Sequence, residues 1–332
     1  MTEQWLGNPA RKPWETVTVQ SVAPIKAEVA RVAAAISADA HDDPAEFVRQ
    51  ARHAAMLLPA SLRELLDDFA VLGDGGLLLT GLMVGPLPPT PASPMSALTR
   101  NTLMAKQCAA IMSSICYLAG FQGESGGAPI QAVVPVKADQ FEQMSTGSLN
   151  ELDPHTEQAF SDFRPDYIGL GGLRGDRHAH TYLLSARTLV EHLPRSIVQL
   201  LREPQFYTGV DASFIRGGAS PHVRGPMPVL NGPLDDPVFR FDGELMFSPS
   251  RNHQHALQAV TAVYRQHRSS VTLGPGDLLI VDNSRGIHGR SPYHPQYDTG
   301  DRWLCRVQGH ANPAATRLVR RPGSPIIEPE GS

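Results

Sequence analysis

The sequence is poor in the features that define several protein classes. It has only three cysteines, Cys108, Cys116 and Cys305, in 332 residues, too few for a disulfide framework or a cysteine-type zinc site. Lysine and arginine total 29 against 33 acidic residues, the formal net charge is −4, and neither sign forms a long run. This balance predicts that the protein has no nucleic-acid partner and does not bind an anionic membrane surface.

Long apolar stretches are also absent. The longest runs, such as Gly75–Val84, are too short to cross a bilayer. The N-terminal segment MTEQWLGNPARKPWE has no apolar stretch of the kind that a secretory signal contains. We therefore expect a cytoplasmic protein without a membrane partner, and its oligomeric state stays open.

The residues that are present predict a globular chain with helices in its N-terminal third. Hydrophobic residues make up 41% and charged residues 19% of the sequence, which is a globular composition. The apolar run at Gly75–Val84 lies between turn residues and is typical of a buried strand. Apolar residues at helical spacing predict helices at Ile25–Ala38, Pro44–Leu58, Ser61–Phe69 and Ser96–Leu118.

From Pro129 onward the pattern changes to short β-rich segments between turns. Many short strands with only local helices favour a barrel or a jelly roll over a doubly wound parallel sheet. The predicted strands are Ile130–Val136, Tyr167–Leu173, Thr181–Leu184, Val271–Leu273, Leu278–Val281 and Trp303–Val307. The predicted helices among them are Thr188–Leu193, Arg195–Leu201 and His255–His267.

Two loops in this region stand out. The turn Gly274-Pro275-Gly276-Asp277 precedes a predicted strand and indicates a hairpin. Residues 214–236 are rich in glycine and proline, and a loop of this length in a compact domain is usually disordered or functional. We expect it to serve as a lid.

The clearest candidate for chemistry is the pair His155 and Glu157 in the segment ELDPHTEQAF. Residues two apart on a strand point to the same side. An imidazole and a carboxylate on one side, completed by a distant histidine, form the two-histidine, one-carboxylate arrangement that suits non-haem Fe(II). The alternative for this pair alone is an exposed strand end.

His288 and two arginines complete the candidate site. His288 follows a predicted buried strand and a polar turn, so it either faces a barrel mouth or is a solvated turn residue. Arg302 lies 14 residues later, about one hairpin's length, and so returns near the histidine. Arg302 and Arg306 share one face of a strand, where buried guanidinium groups need anions; the alternative is a pair of internal salt bridges.

Together these residues carry a resemblance to a known family. The set HTE, His288, Arg302 and Arg306 resembles the clavaminate synthase-like Fe(II)/2-oxoglutarate-dependent oxygenases, and within them the arginine 3-hydroxylases of viomycin and capreomycin biosynthesis. The resemblance covers roughly residues 75–310. It lies in the segments VVPVK, HTEQAFSDFRPDYIGLGGLR, VFRFDGE, GDLLIVDNSRGIHGR and YDTGDRWLCRV.

The resemblance implies a fold and a set of ligands. The fold is mainly β with flanking helices, around a double-stranded β-helix (jelly-roll, cupin-like) core. His155, Glu157 and His288 would bind Fe(II), with 2-oxoglutarate and O2 as co-substrates. Arg302 would pair with the distal carboxylate of 2-oxoglutarate, and Thr181 would help to hold that co-substrate.

The resemblance also implies contacts with an amino-acid substrate. Arg306 would contact the substrate carboxylate, and Glu124 would lie near its α-amino group. Asp242 and Glu244 would hold a cationic side chain, and Ser145 would lie on a loop that covers the substrate. Glu124 stands where the arginine hydroxylases have glutamine and Glu244 where they have aspartate, so the identity of the substrate stays open.

The sequence thus predicts an enzyme, an Fe(II)/2-oxoglutarate-dependent dioxygenase. Its expected substrate is a free basic L-amino acid (arginine, lysine or a cyclic arginine derivative) hydroxylated at the β-carbon in antibiotic or other secondary-metabolite biosynthesis. One alternative is the same chemistry on a small peptide, a cyclodipeptide or a carrier-bound residue. Another is a non-catalytic ligand-binding barrel. The intact set of metal-binding residues argues against it.

We expect one oxygenase domain over residues 1–332. It would consist of an N-terminal helical region at 1–74, a core at 75–310 with the lid loop near 214–236, and a C-terminal tail at 311–332.

Overall fold

The structure is a computed structural model that describes residues 15–328. The expectation about a secretory signal concerns residues 1–15 and therefore lies almost wholly outside the described residues. Within residues 15–328, every helix is too short or too polar to cross a bilayer. The chain combines many strands with helices, which confirms the mainly β class with flanking helices.

The helices and strands between residues 15 and 328 are numbered in chain order. The helices are α1 (Lys26–Ala34), α2 (Pro44–Met56), α3 (Ala60–Leu72), α4 (Leu103–Met112), α5 (Ala186–His192), α6 (Arg195–Leu201), α7 (Ala212–Arg216) and α8 (Arg251–His267). The strands are β1 (Val17–Ser21), β2 (Gly76–Thr80), β3 (Tyr117–Phe121), β4 (Ile130–Val133), β5 (Leu152–His155), β6 (Tyr167–Arg174), β7 (His180–Ser185), β8 (Phe206–Thr208), β9 (Arg224–Met227), β10 (Leu230–Asn231), β11 (Val238–Phe239), β12 (Met246–Phe247), β13 (Ser269–Thr272), β14 (Leu278–Asp282), β15 (Gly286–Arg290), β16 (Trp303–His310) and β17 (Ile326–Ile327).

Two sheets form the centre of the molecule. The larger has the strand order β1-β2-β14-β6-β16-β3-β17, and β4 also pairs with β16. The smaller has the order β13-β7-β15-β5, with every neighbouring pair antiparallel. Two short sheets, β12-β8-β9 and β10-β11, complete the strands of residues 15–328.

Strand β14 shows how the layers pack. Its side chains alternate between two hydrophobic clusters: Leu278 and Ile280 pack with helices α1–α4, and Leu279 and Val281 pack with the smaller sheet. Successive side chains of a strand point to opposite faces, so apolar residues at every position bury both faces of this sheet. The outer face of the smaller sheet packs against α5, α6 and α8. The result is four layers: helices, large sheet, small sheet and helices.

The helix predicted at Ser96–Leu118 is shorter in the structure. It begins at Leu103, where the side chain of Thr102 accepts a hydrogen bond from the backbone N–H of Ala105, and it ends at Met112. Residues 117–121 form β3, which pairs with β16. The apolar residues after Met112 are spaced as in a helix. They form a strand instead, because pairing with β16 supplies hydrogen-bond partners for their backbone N–H and C=O groups.

The predicted hairpin at Gly274–Asp277 is wrong. The strand before the turn, β13, pairs with β7 in the smaller sheet, and the strand after it, β14, pairs with β2 and β6 in the larger sheet. The turn therefore carries the chain from one sheet to the other. Turn residues identify where a chain reverses, but they do not select the strand with which it pairs.

Residues 214–236 are not a long irregular loop. They include the end of α7 and the strands β9 and β10. The N-terminal region and the tail are also more than helix and coil, because β1 and β17 join the larger sheet. The division of the chain at residues 74 and 310, part of which lies outside residues 15–328, remains a prediction.

Gly171 tests how closely α4 packs on the larger sheet. A Cβ atom at this position would lie 2.3 Å from the Cys108 sulfur and 2.8 Å from the Cys305 sulfur. We expect Gly171→Ala to lower the free energy of unfolding by about 1–3 kcal/mol, since overpacked cores force side chains out of place. Urea denaturation measures the change. Adding Cys108→Ala should restore part of the loss, and a single variant as stable as the wild type would contradict this packing.

Candidate metal and substrate site

A pocket opens between the two central sheets. Leu170 of β6 and Leu304 of β16 line it from the larger sheet, and Thr181 of β7 and His288 of β15 line it from the smaller one. The loop that contains Ser145 lies over it. Both sheets therefore direct alternate side chains into one space, which is where side chains distant in sequence can meet.

Two histidines and a carboxylate meet in this pocket. His155 at the end of β5 lies opposite His288 of β15 in the strand register, and their ring centroids are 4.4 Å apart. Glu157 follows two residues after His155, and its Oε2 is 3.7 Å from Nε2 of His288. One ligand atom from each of the three lies within 4.8 Å of the others, a spacing that suits a single divalent ion.

The two histidines are prepared to act as neutral ligands. The ring N–H at Nδ1 of His155 donates to the carbonyl of Asp153 at 2.8 Å, which leaves Nε2 with its lone pair toward the other two side chains. Burial, together with the nearby His155 ring, lowers the pKa of His288. Neutral imidazole is the form that binds metal.

Only one oxygen of Glu157 is free to face the histidines. Its other oxygen, Oε1, accepts hydrogen bonds from Arg306 at 2.7 Å and from the amide of Gln308 at 3.3 Å. Burial favours the neutral acid, but the positive charge of Arg306 holds the pKa of the Glu157 carboxyl well below its usual range. The carboxylate is therefore ionised, as a metal ligand must be.

The backbone of Glu157 is fixed by a buried amide. The side-chain oxygen of Asn283 accepts from the N–H of Glu157 at 2.7 Å, and its NH2 group donates to the carbonyl of Glu157 at 3.0 Å and of Pro165 at 2.8 Å. Asn283 is fully buried. Glu157 lies beyond the end of β5, so Asn283 supplies the hydrogen bonds that a neighbouring strand would otherwise give.

Arg306 is the centre of a buried network of charges. Besides Glu157 it donates to Oε1 of Glu124 at 2.7 Å and, through Nε, to the side-chain oxygen of Gln131 at 2.8 Å. Burial raises the pKa of Glu124, although Arg306 counteracts it. One guanidinium thus lies between two carboxylates, so Arg306 forms internal salt bridges, and its contact with a substrate carboxylate remains a prediction.

Acidic side chains gather at one end of the pocket. Asp211, Asp242 and Glu244 all line it. Burial raises the pKa of Asp211 well above its usual value, and the neighbouring charges of Asp242, Glu157 and Glu124 raise it further. The pKa of Glu244 is raised by partial burial and by Asp242. Such mutual repulsion is relieved when a cation binds between the carboxylates.

The other end of the pocket is basic. Arg290 and Arg302 line it together with Thr181, and both guanidinium groups lie near the ring of Tyr293. Burial lowers the pKa of Arg290 to about 10. The pocket therefore holds a group of acids and a group of arginines, and it suits a ligand or ligands with charges of both signs.

Comparison with known families identifies the chain. Residues 127–308 match the family described as "Taurine catabolism dioxygenase TauD, TfdA family". The chain belongs to this dioxygenase family. The resemblance to such oxygenases that the sequence motifs indicated is confirmed.

Individual relatives support the same assignment. The dioxygenase is 41% identical over 296 residues to an L-lysine 3-hydroxylase of Catenulispora acidiphila, covering 87% of this chain and 83% of the relative. It is 32% identical over 268 residues to clavaminate synthase 2 of Streptomyces clavuligerus, covering 79% and 82% of the two chains. A solved structure of asparagine oxygenase with Fe(II), 3-hydroxyasparagine and succinate has a TM-score of 0.86 and 31% identity, covering 95% of this chain and 99% of that one.

In this dioxygenase, the structure places every residue that the sequence singled out on the same pocket. They are Glu124, Ser145, His155, Glu157, Thr181, Asp242, Glu244, His288, Arg302 and Arg306. Their roles toward a metal and substrates remain predictions.

One local argument that led to these residues is wrong. His288 and Arg302 are not joined by a hairpin, because β15 and β16 belong to different sheets; the residues face each other across the pocket. Asp242 forms an isolated antiparallel bridge with His155, and Glu244 lies in the turn that follows. Oδ1 of Asp242 accepts from the backbone N–H of Glu244 at 2.9 Å and of Leu245 at 2.7 Å.

Sequence reasoning missed three residues of the site. Arg290 could have been found, since it lies two residues after His288 on the same strand and so points to the same face. Asn283 precedes β15 in a polar turn that reads as solvated, yet it is fully buried. Asp211 lies just before α7, and its sequence context gives no signal that it lines the pocket.

Asn283 offers a test of how the Glu157 backbone is held. Asn283→Asp keeps the oxygen that accepts from Glu157 but removes the donors to two carbonyls and buries a charge. Each unsatisfied buried group costs about 1–3 kcal/mol, so we expect a loss of at least ~3 kcal/mol in unfolding free energy. Urea denaturation measures it. Asn312→Asp is the control, because its side chain only accepts, from Ala314 at 3.0 Å, and a loss as large there would contradict the assignment.

Proposed function

We propose that this dioxygenase is an Fe(II)/2-oxoglutarate-dependent hydroxylase of a free basic L-amino acid, built on a double-stranded β-helix. The observation that carries the proposal is the set of three ligand atoms within 4.8 Å of one another, inside a pocket with one acidic and one basic end. The L-lysine 3-hydroxylase that is 41% identical supports a basic substrate and oxidation at the β-carbon. An antibiotic or other secondary-metabolite pathway is the expected context.

His155, Glu157 and His288 are the proposed iron ligands. Two neutral imidazoles and one ionised carboxylate on a single face leave the remaining positions of the metal open, as in non-haem Fe(II) oxygenases. Bound iron would supply the oxidation of an unactivated C–H bond, with 2-oxoglutarate and O2 as co-substrates. The protein's part is to hold the ligands, orient the substrates and keep the site dry.

The basic end is the proposed site of 2-oxoglutarate. Arg302 is buried, with 5% of its surface exposed, and no aspartate or glutamate within residues 15–328 forms an ion pair with it. A buried guanidinium of this kind needs an anion, and a carboxylate matches its planar donors. The hydroxyl of Thr181, on β7 of the smaller sheet, lines the same pocket and would donate a further hydrogen bond.

The amino-acid substrate would lie on the other side of the metal ligands. Arg306 would bind its carboxylate, and Glu124, which already contacts Arg306, would bind its α-ammonium group. This pair of opposite charges is matched to the two charges that every free amino acid carries. A peptide or a carrier-bound residue lacks one of them.

The acidic end is the proposed site of the substrate side chain. Asp242 and Glu244 were expected there from the sequence, and Asp211 lies beside them. Burial raises the pKa of Asp211 and of Glu244, and repulsion by Asp242 raises both further; a cationic group would relieve that repulsion. This favours lysine, ornithine or arginine over asparagine, whose side chain is short and uncharged.

The substrate class can be tested directly. The purified protein is incubated with Fe(II), ascorbate and 2-oxoglutarate in air with a panel of lysine, ornithine, arginine, enduracididine-like cyclic arginines, asparagine and short lysine peptides. Mass spectrometry should find a gain of one oxygen on a free basic amino acid and an equal amount of succinate. A gain on peptides alone would contradict the free amino acid, and no succinate with any compound would favour a non-catalytic barrel.

The metal ligands give a second prediction. His155→Ala, Glu157→Ala and His288→Ala should each abolish stoichiometric iron binding and turnover, because two remaining ligands do not retain a labile divalent ion. Iron content by metal analysis and succinate formation measure the two effects. His178→Ala, at an exposed histidine, is the matched control and should change neither. Near-normal turnover in any of the three variants would contradict the ligand assignment.

The acidic end gives a third prediction. Asp211→Asn and Asp242→Asn should each raise the KM for a basic amino acid by about tenfold or more, since a charge-assisted hydrogen bond contributes roughly 1.5–3 kcal/mol. The KM for 2-oxoglutarate should stay unchanged. Steady-state titrations of each ligand against each variant measure this. Asp162→Asn, at an exposed acid, is the control, and unchanged kinetics in both pocket variants would rule out the cation site.

A further inference from the structure

The basic end of the pocket holds two guanidinium groups. A single guanidinium would be enough to pair with the distal carboxylate of 2-oxoglutarate. Arg290 and Arg302 both line the pocket, and each has 5% of its surface exposed. They come from opposite sheets, since Arg290 ends β15 and Arg302 immediately precedes β16. Two buried positive charges that converge from opposite walls repel each other unless a negative charge lies between them.

No carboxylate within residues 15–328 supplies that negative charge. Nε of Arg290 donates to the carbonyl of Ser291 at 3.1 Å, and one NH2 group donates to the carbonyl of Asn150 at 3.2 Å. Neither arginine forms an ion pair with any acid within residues 15–328. By contrast, Arg306 in the same pocket has two carboxylate partners at 2.7 Å. The unbalanced charge is therefore specific to this end of the pocket.

One other polar group near these arginines also lacks a partner. The Tyr293 ring centroid is 5.2 Å from the Arg290 guanidinium carbon and 5.6 Å from that of Arg302, which brings both arginines to one side chain. The Tyr293 hydroxyl is buried and has no hydrogen-bond partner among the described residues. Thr181 lies directly opposite Arg290 in the strand register. Two guanidinium groups and the Thr181 side chain thus line this part of the pocket, and the Tyr293 ring packs against both guanidinium groups.

We infer that Arg290 is a second cation of the 2-oxoglutarate site, so that the distal carboxylate binds between Arg290 and Arg302. The inference rests on the proposed function. It predicts that the dioxygenase discriminates strongly between a dicarboxylic 2-oxo acid and one that lacks the distal carboxylate, since the latter leaves both buried guanidinium groups without an anion. The competing explanation is that Arg290 only braces the Asn150 loop through its carbonyl contacts.

A ligand comparison separates these two roles. The protein is loaded with Zn(II) in place of iron, so that no turnover occurs, and isothermal titration calorimetry measures the binding of 2-oxoglutarate and of 2-oxopentanoate. The two acids have the same number of carbon atoms and differ in the distal carboxylate. Arg290→Gln should weaken 2-oxoglutarate binding by about tenfold or more while changing 2-oxopentanoate binding by less than about twofold. Arg302→Gln should show the same pattern.

The alternative outcomes are distinct. If Arg290→Gln weakens the binding of both acids equally, or of neither, the inference is overturned and Arg290 is a brace. If Arg290→Gln does not fold, the same titrations are made with Arg290→Lys. Lysine keeps the positive charge but lacks the planar pair of donors of a guanidinium, so it should still weaken the binding of 2-oxoglutarate more than that of 2-oxopentanoate. Equal weakening of both overturns the inference. If the Zn(II)-loaded wild type does not bind 2-oxoglutarate at all, the proposed function fails and this inference fails with it.

Discussion

The buried ion pair between Arg306 and Glu157 is the interaction on which the site depends. It joins the two central sheets, because Arg306 lies on β16 of the larger sheet and Glu157 extends β5 of the smaller one. It also occupies one carboxylate oxygen and leaves the other for the histidines. Removing one partner of such a pair leaves a charge uncompensated in the interior, at a cost of about 3–5 kcal/mol. The same contact therefore stabilises the sandwich and sets the orientation of the carboxylate.

Positive and negative side chains form separate groups in the pocket, and this separation favours one orientation of a charged ligand. Asp211, Asp242 and Glu244 form one group of charges in the pocket, Arg290 and Arg302 form another, and the histidines and Glu157 line the same pocket. In a site shielded from water each of these charges acts on its neighbours more strongly than it would at the surface. On the proposed function, the basic substrate would be drawn to the acids and the dianionic co-substrate to the arginines.

The way the two sheets pack explains which strands the sequence patterns predicted and which they missed. Strands such as β14 are apolar on both faces because helices cover one side and the smaller sheet the other, and this made them visible in the sequence. Short strands with polar residues, such as β5 and β15 at the site itself, were not visible, because their side chains face the pocket. The turn before β14 was recognised, but its partner strand was not, since turn chemistry is local and strand pairing is not.

The sequence by itself determined the mainly β class, the long buried strands, and the central residues His155, Glu157, His288, Arg302 and Arg306, because HxE, a distant histidine and two arginines on one face are recognisable in one dimension. Only the tertiary structure decided that His288 and Arg302 come from opposite sheets, that Arg306 holds Glu157, and that Asp211, Asn283 and Arg290 belong to the site. The physical reason is that these contacts join residues separated by up to 149 positions. Their partners are chosen by how two sheets pack face to face, and no local spacing records that.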